Sequence, residues 1–143
     1  MNDIEVVRLA KKDVLVARQL AAEFLAEPSV PLERLSDLLD DERTIVLAAL
    51  HQGAAIGYLV AYRFPSLAGE TLVYLYDIEV RPDLHRIGIG RNLVSTLQQI
   101  CKTERVDSIW VGSSVTNVAA CALWHRTGAE REPDHFVEFV YEL

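Results

Sequence analysis

The sequence is poor in the features that mark secreted, membrane and nucleic-acid-binding proteins. It has two cysteines, Cys101 and Cys121, and no apolar run reaches the roughly 20 residues of a membrane span. Its 14 lysines and arginines are outnumbered by 21 acids, whereas nucleic-acid binding needs basic patches. The first residues show no signal-peptide pattern. We therefore expect a cytoplasmic protein with reduced thiols and with neither a nucleic acid nor a membrane as partner.

The histidines form no metal-ligand spacing with cysteines or acids, so the sequence predicts no metal. A chain of 143 residues, half of them hydrophobic, predicts a single domain over residues 1–143. The net charge of −7 has two interpretations: it attracts a cationic substrate, or it only keeps the protein in solution.

The stretch from Tyr74 to Ser95 organises the rest of the chain. β-branched and aromatic residues from Leu72 to Val80 predict a strand, which Pro82 ends. A period of two predicts that Tyr74, Tyr76, Ile78 and Val80 share one face, with Val73, Leu75, Asp77 and Glu79 on the other. Apolar spacing from Arg91 to Thr103 predicts a helix, with one buried stripe at Ile89, Leu93, Leu97 and Ile100.

The turn between this strand and this helix, from His85 to Gly90, predicts an anion site. A helix N-terminus offers unpaired N–H groups, and the two glycines let a ligand approach the backbone. The alternative is a plain strand–turn–helix with capping glycines. The P-loop motif is absent, because no Gly-Lys-Ser/Thr follows, and Leu93 occupies the place of the third glycine of a dinucleotide fingerprint.

The remaining elements complete a mixed α/β order, β–α–α–β–β–β–α–β–α–β. The expected bounds outside the central stretch are Ile4 to Leu9, Asp13 to Glu27, a short helix from Pro31, Thr44 to Leu50, Ala54 to Phe64, Asp107 to Gly112, Thr116 to Arg126 and a closing strand from Glu138 to Leu143. Four acids lie at the end of the second helix, as is typical of a solvated helix face: Asp37, Asp40, Asp41 and Glu42.

Two carboxylates, Asp77 and Glu79, stand just before the predicted anion turn. A carboxylate beside an anion site can bind a cation and take a proton from it, as a general base does. Asp77 and Glu79 are therefore the candidate catalytic residues. The alternative is an ion pair of one acid with Arg81 or Arg63.

The turn resembles the acyl-CoA-binding motif of the GNAT N-acetyltransferase superfamily, Gln/Arg-x-x-Gly-x-Gly/Ala, with Gly88 and Gly90 as its glycines and His85 in the place of Gln or Arg. The run Tyr74-Leu75-Tyr76-Asp77 and the pair His135-Phe136 resemble a narrower group, the small aminoglycoside 3-N-acetyltransferases. The resemblance implies a GNAT acyl-CoA N-acyltransferase fold, a mixed sheet of about six to seven strands flanked by four helices.

The resemblance also implies acetyl-CoA as the acetyl donor and a homodimer. In the implied site a backbone N–H of Ile78 or Glu79 polarises the thioester carbonyl. The implied substrate-binding residues are Tyr76, Asp77, His135 and Phe136. The implied cofactor-binding residues are Ile78, Val80, His85, Arg86, Ile87, Gly88, Ile89, Gly90, Arg91, Asn117 and Trp124.

Three of these residues have a structural alternative or depart from the family. Asn117 is otherwise a helix cap, and His135 is otherwise a surface residue. Trp124 stands where the family has a tyrosine whose hydroxyl protonates the leaving thiolate, and an indole N–H is a donor that does not act as an acid.

Three functions follow from this reading. The first is acetyl transfer to a cationic small molecule, an aminoglycoside at its 3-amino group. The second is the same chemistry on a protein N-terminus, a lysine or a polyamine. The third is a non-catalytic acyl-CoA-binding module, which the change at Trp124 would favour.

Overall fold

The computed structural model describes residues 3–134 and 136–143, and in this part of the chain five strands form one sheet. The strands lie in chain order across the sheet, antiparallel up to the fourth, and the fifth is parallel to the fourth. Their bounds are β1 (Ile4–Arg8), β2 (Thr44–His51), β3 (Ala54–Pro65), β4 (Thr71–Val80) and β5 (Ser108–Val111).

Four α-helices accompany the sheet in the same described ranges. They are α1 (Val14–Leu25), α2 (Leu32–Asp40), α3 (Ile89–Thr103) and α4 (Val118–Arg126). A helix must connect β4 to β5 because parallel neighbours need a crossover, and α3 fills that role. α1 ends where Ala26 turns into the left-handed conformation, two residues before the proline that was expected to break it.

The sheet separates two apolar cores. α3 covers one face, where Leu93 and Leu97 pack on Leu47, Leu59 and Val73. α1 and α2 cover the other face. The buried residues of this second core are Leu9, Ala17, Leu20, Val46, Ala48, Ala55 and Tyr58. The predicted apolar stripe of α3 is confirmed, since Ile89, Leu93 and Leu97 are at most 2% exposed.

The expected closing strand from Glu138 to Leu143 is wrong for this structure. No residue of 136–143 belongs to a strand, and the described sheet has five strands rather than six or seven. The alternating pattern of the segment suits a strand, but a strand needs a neighbouring backbone to pair with, and the segment lies exposed without one. None of the described helices combines the length and the apolar composition that a membrane crossing requires.

Candidate active site

A bulge in β4 decides which side chains the site receives. Asp77 pairs with Val60 and Leu75 pairs with Ala61, so Tyr76 is an extra residue without a partner on β3. One extra residue reverses the alternation of faces. Val73 and Leu75 therefore face the α3 core before the bulge, and Ile78 and Val80 face it after the bulge.

The predicted assignment of faces in β4 is therefore wrong beyond Leu75. Asp77 lies opposite Val60 and Glu79 lies opposite Tyr58, and both of these β3 residues pack in the core under α1 and α2. Tyr76 is 66% exposed and its ring meets Tyr62 edge-on, with centroids 5.8 Å apart. The bulge thus brings the two acids to the α1 side of the sheet.

Tyr58 joins the two acids. Its hydroxyl donates to Asp77 Oδ2 at 2.5 Å and lies 3.3 Å from Glu79 Oε2. The Tyr58 side chain is 3% exposed, and the ring of Phe24 from α1 packs edge-on against it at 5.4 Å. Burial, followed by the hydrogen bond and the charge of Asp77, raises the pKa of Tyr58 far above its usual value. The hydroxyl therefore stays protonated and acts as a donor.

Sequence reasoning missed Tyr58. The residue sits 19 positions before Asp77, and only the register of β3 on β4 places it opposite Glu79. A period-two count along β4 does not give that register, because the bulge at Tyr76 shifts the pairing between Val60 and Ala61.

The predicted ion-pair alternative for the acids is wrong among the described residues. Arg63 binds Glu104 at 2.9 Å, and Arg81 binds Asp83 at 2.9 Å. Asp77 is half-buried and Glu79 is exposed, and the hydroxyl of Tyr58 is the partner that the structure gives each of them. Both carboxylates thus remain available to a cation.

The outer edge of β4 is open beside the acids. β5 pairs with β4 only from Leu72 to Leu75, so the edge from Tyr76 to Val80 has no strand along it in the described chain. Such an edge presents unpaired N–H and C=O groups to an extended ligand. The pairing of β4 with β5 thus ends before the two acids.

The turn after β4 connects the open edge to the start of α3. Arg81 begins a short 3-10 turn over Pro82–Leu84, and Gly88 caps α3 with φ of +92°. A Cβ at Gly88 would meet nothing within 4 Å, so the backbone conformation and not space favours glycine here. The first N–H groups of α3 have no acceptor within the helix, which is the arrangement that anions bind at helix starts.

Side chains of the turn take different positions around this helix start. Arg86, Ile87 and Arg91 are exposed. The ring of His85 instead folds back, with Nε2 2.8 Å from the carbonyl oxygen of Val80, a bond that needs the Nε2-protonated ring. Gly90 sits against α4, where a Cβ would lie 3.4 Å from Leu123.

The residues predicted on α4 both have partners within the chain. Asn117 caps the helix, because its Oδ1 accepts from the backbone N–H of Ala120 at 3.1 Å. Trp124 packs against the α3 core, and its indole N–H donates to Ser113 Oγ at 2.7 Å. The structural alternative for Asn117 is therefore present, and the single donor of Trp124 is occupied.

A family model for the acetyltransferase (GNAT) family matches residues 14–129. This chain belongs to the GNAT family. It is an N-acetyltransferase, and acetyl-CoA is its acetyl donor.

Solved structures similar to this GNAT chain support the assignment. An aminoglycoside acetyltransferase, meta-AAC0020, from an uncultured soil metagenomic sample and in complex with sisomicin, is 26% identical over 99% of this chain and 97% of its own, with a TM-score of 0.87. A second one, HMB0005, also from an uncultured soil metagenomic sample, is 25% identical over 96% of this chain and 99% of its own, with a TM-score of 0.84. The aminoglycoside N-acetyltransferase AAC(6')-Iy in complex with CoA shares the fold, at 18% identity over 97% and 94% of the two chains and a TM-score of 0.77.

The remaining predicted residues of the GNAT domain lie apart from the acid pair in sequence. His135 is outside the described residues. Phe136 is 79% exposed in the segment that follows α4. Of the acids at the end of α2, Asp41 is bound by Arg43, whose side-chain hydrogen bonds lower the pKa of Asp41 to about 2.

Proposed function

We propose that this N-acetyltransferase acts on an aminoglycoside and acetylates its 3-amino group. The observation that carries the proposal is the pair Asp77 and Glu79, held by Tyr58 beside the open edge of β4. Two unpaired carboxylates in an acidic protein suit a polycationic acceptor. The relatives named as aminoglycoside acetyltransferases, one of them in complex with sisomicin, support the same substrate class.

The residues present fit acetyl-CoA. The open edge from Tyr76 to Val80 would hold the pantetheine arm through the backbone groups of Ile78 and the N–H of Val80, whose carbonyl oxygen accepts from His85 Nε2. The turn with His85, Arg86, Ile87 and Gly88, and the N–H groups of Ile89, Gly90 and Arg91, would hold the pyrophosphate. When bound, the donor supplies an activated acetyl carbonyl, which a backbone N–H of Ile78 or Glu79 polarises.

The two acids divide the acceptor chemistry in this proposal. Asp77, restrained by the shorter bond from Tyr58, binds and orients the ammonium group of the acceptor. Glu79, more exposed and more loosely held, accepts the proton that the amine loses. The amine nitrogen then bonds to the acetyl carbon while the bond from that carbon to sulfur breaks.

In this proposal no tyrosine protonates the leaving thiolate. Trp124 stands in that place, and its N–H is already donated to Ser113. The thiolate therefore departs without a proton from α4, since a thiolate is a fair leaving group, and it takes its proton from water afterwards. Asn117 retains its amide N–H groups for the cofactor arm while its oxygen caps α4.

The proposed enzyme works as a homodimer in the cytoplasm. Its two cysteines are free thiols, which suits a reducing compartment. Among the described residues, the β5 edge of the sheet and the apolar residues of 136–143 are both uncovered, which favours association.

Thiol release from acetyl-CoA tests the proposed substrate class. The acceptors are gentamicin, sisomicin, kanamycin, spermidine and a lysine peptide. The proposal predicts turnover with the aminoglycosides alone, and NMR of the product then shows whether the proton beside the 3-amine or beside the 6'-amine has shifted. Turnover confined to spermidine or the peptide would contradict the substrate class, and a 6'-product would contradict only the position.

A further inference from the structure

The loop after β5 brings a serine to the level of the open edge of β4. The last pair between these parallel strands joins Leu75 of β4 to Val111 of β5. Ser113 follows Val111 by two residues, as Asp77 follows Leu75. Because strands advance by a similar rise per residue, Ser113 stands at about the level of Asp77. The serine therefore lies across from the backbone that would hold the pantetheine arm.

The start of this loop stays close to β4. A Cβ at Gly112 would lie 3.6 Å from the hydroxyl oxygen of Tyr74, so the loop continues beside β4 after the pairing has ended. The register places Tyr74 opposite Trp110, two residues before Gly112. Ser113, the next residue, is exposed. Its side chain is thus accessible to a ligand that lies along the open edge of β4.

Trp124 of α4 determines how the hydroxyl of Ser113 can be used. The indole N–H donates to Ser113 Oγ at 2.7 Å. An indole is a donor only, so Oγ is the acceptor in this bond and the proton of the hydroxyl points elsewhere. Among the described residues no acceptor takes that proton. A hydroxyl that already accepts a hydrogen bond also donates a stronger one. Ser113 is therefore an oriented hydrogen-bond donor.

Acetyl transfer needs a donor of this kind. When the bond from the acetyl carbon to sulfur breaks, its electron pair stays on sulfur, and a hydrogen bond to that sulfur stabilises the negative charge. The family resemblance assigns this task to a tyrosine hydroxyl at the position of Trp124. In this chain the same position carries an indole, whose N–H is bonded to the hydroxyl of Ser113. The two side chains together supply the hydroxyl that Trp124 alone lacks.

We propose that Ser113, oriented by Trp124, donates a hydrogen bond to the sulfur of coenzyme A as the thioester breaks. Ser113 keeps its proton, because an aliphatic hydroxyl is a far weaker acid than a thiol, and the thiolate takes a proton from water afterwards. Ser113 is then a catalytic residue and Trp124 a positioning residue. The inference rests on the proposed path of the pantetheine arm along β4 and not on the choice of acceptor.

β5 contains a second pair of the same kind, which serves as a matched control. The indole N–H of Trp110 donates to Ser108 Oγ at 3.0 Å. Ser108 lies opposite Leu72, at the end of β5 that is paired with β4. Ser108→Ala therefore removes a hydroxyl bound by an indole without changing the open edge.

Titration of the bound thiol tests the hydrogen bond without any acceptor. CoA is bound to the protein, and its thiolate is followed by ultraviolet absorbance as the pH rises, with desulfo-CoA, which lacks the sulfur, as the baseline. A donor to the thiolate lowers the pKa of the thiol. Ser113→Ala is expected to raise that pKa by about one unit, as the loss of a hydrogen bond to a charged group predicts. Ser108→Ala, and Ser113→Thr, which keeps the hydroxyl, should leave it unchanged.

Trp124→Phe tests the positioning role. The variant keeps a ring against the α3 core and removes the N–H that binds Ser113. The pKa of the bound thiol should rise by less than in Ser113→Ala, because the hydroxyl is still present but no longer oriented. The double variant should show only the shift of Ser113→Ala, since Trp124 acts through Ser113.

Kinetics give the corresponding loss in turnover. With any amine that supports turnover, kcat should fall about 10-fold in Ser113→Ala and stay within about twofold in Ser108→Ala. A bound thiol with the same pKa in Ser113→Ala as in the wild type would overturn the proposal, and so would equal shifts in Ser113→Ala and Ser108→Ala. The titration uses no acceptor, so failure here leaves the proposed substrate class untouched.

Discussion

Along the open edge of β4, the proposed site has a donor side, which would bind acetyl-CoA, and an acceptor side, which would bind the amine. The two sides are formed in different ways. On the donor side, the turn and the start of α3 present backbone N–H groups whose directions follow from a helix start and a glycine at φ of +92°. On the acceptor side, Asp77, Glu79 and Tyr58 come from two strands and meet only because of their register. Local sequence therefore describes the donor side well and the acceptor side poorly.

The largest expected effect is on the acceptor side. Asp77→Asn keeps the shape of the side chain and removes the charge that we propose binds the ammonium group. We expect kcat/KM for sisomicin to fall about 100- to 1,000-fold, with CoA affinity unchanged. Steady-state kinetics and calorimetry check this, with Asp83→Asn, which lies in the turn and binds Arg81, as the control. Unchanged turnover would remove Asp77 from the site.

A smaller loss is expected when the hydroxyl of Tyr58 is removed. Tyr58→Phe keeps the ring that packs on Phe24 and deletes the donor to both carboxylates. A hydrogen bond to a charged group predicts a loss in kcat/KM of about 10-fold. Tyr62→Phe, at a neighbouring position of β3, is the matched control. Equal losses in the two variants would show that the effect is not specific to the bond from Tyr58 to Asp77.

Backbone strain at Gly88 is expected to weaken the binding of acetyl-CoA. Gly88→Ala forces a Cβ into a left-handed conformation, which costs about 1–2 kcal/mol and displaces the helix start. The KM for acetyl-CoA should rise about 10-fold while the KM for the acceptor stays the same. Gly69→Ala has nearly the same φ, +86°, and equally open space in a distant loop, so it should lose stability without losing affinity for acetyl-CoA.

The smallest expected effect concerns acid stability at the end of α2. The pKa of Asp41 is lowered to about 2 by Arg43, from a usual value near 3.8. A carboxyl whose pKa is lower in the folded than in the unfolded protein stabilises the fold at pH values above its unfolded pKa. This stabilisation is lost as the pH falls from about 4 to 2. The Tm of the wild type should exceed that of Asp41→Asn by about 1 °C near pH 6 and by less near pH 2. Scanning calorimetry across this range checks the trend.

Sequence reasoning predicted the elements whose cause is local. The apolar stripe of α3 and the order of the first five strands depend on spacing within one segment, and they are confirmed. The predicted turn from His85 to Gly90 is present but ends two residues earlier, at Gly88. The bulge at Tyr76 and the place of Tyr58 depend on how two strands pair, which no single segment encodes. The segment 136–143 has the pattern of a strand but pairs with no strand among the described residues, so pattern alone mispredicted it.

The most direct test of the acceptor side is a double-mutant cycle of Tyr58→Phe and Asp77→Asn. The measured quantity is kcat/KM for sisomicin at saturating acetyl-CoA. If Tyr58 acts by holding Asp77, the double variant should lose no more activity than Asp77→Asn alone, giving a coupling of about 10-fold. Losses that multiply would mean that Tyr58 and Asp77 act independently, and the account of the acceptor site would be wrong.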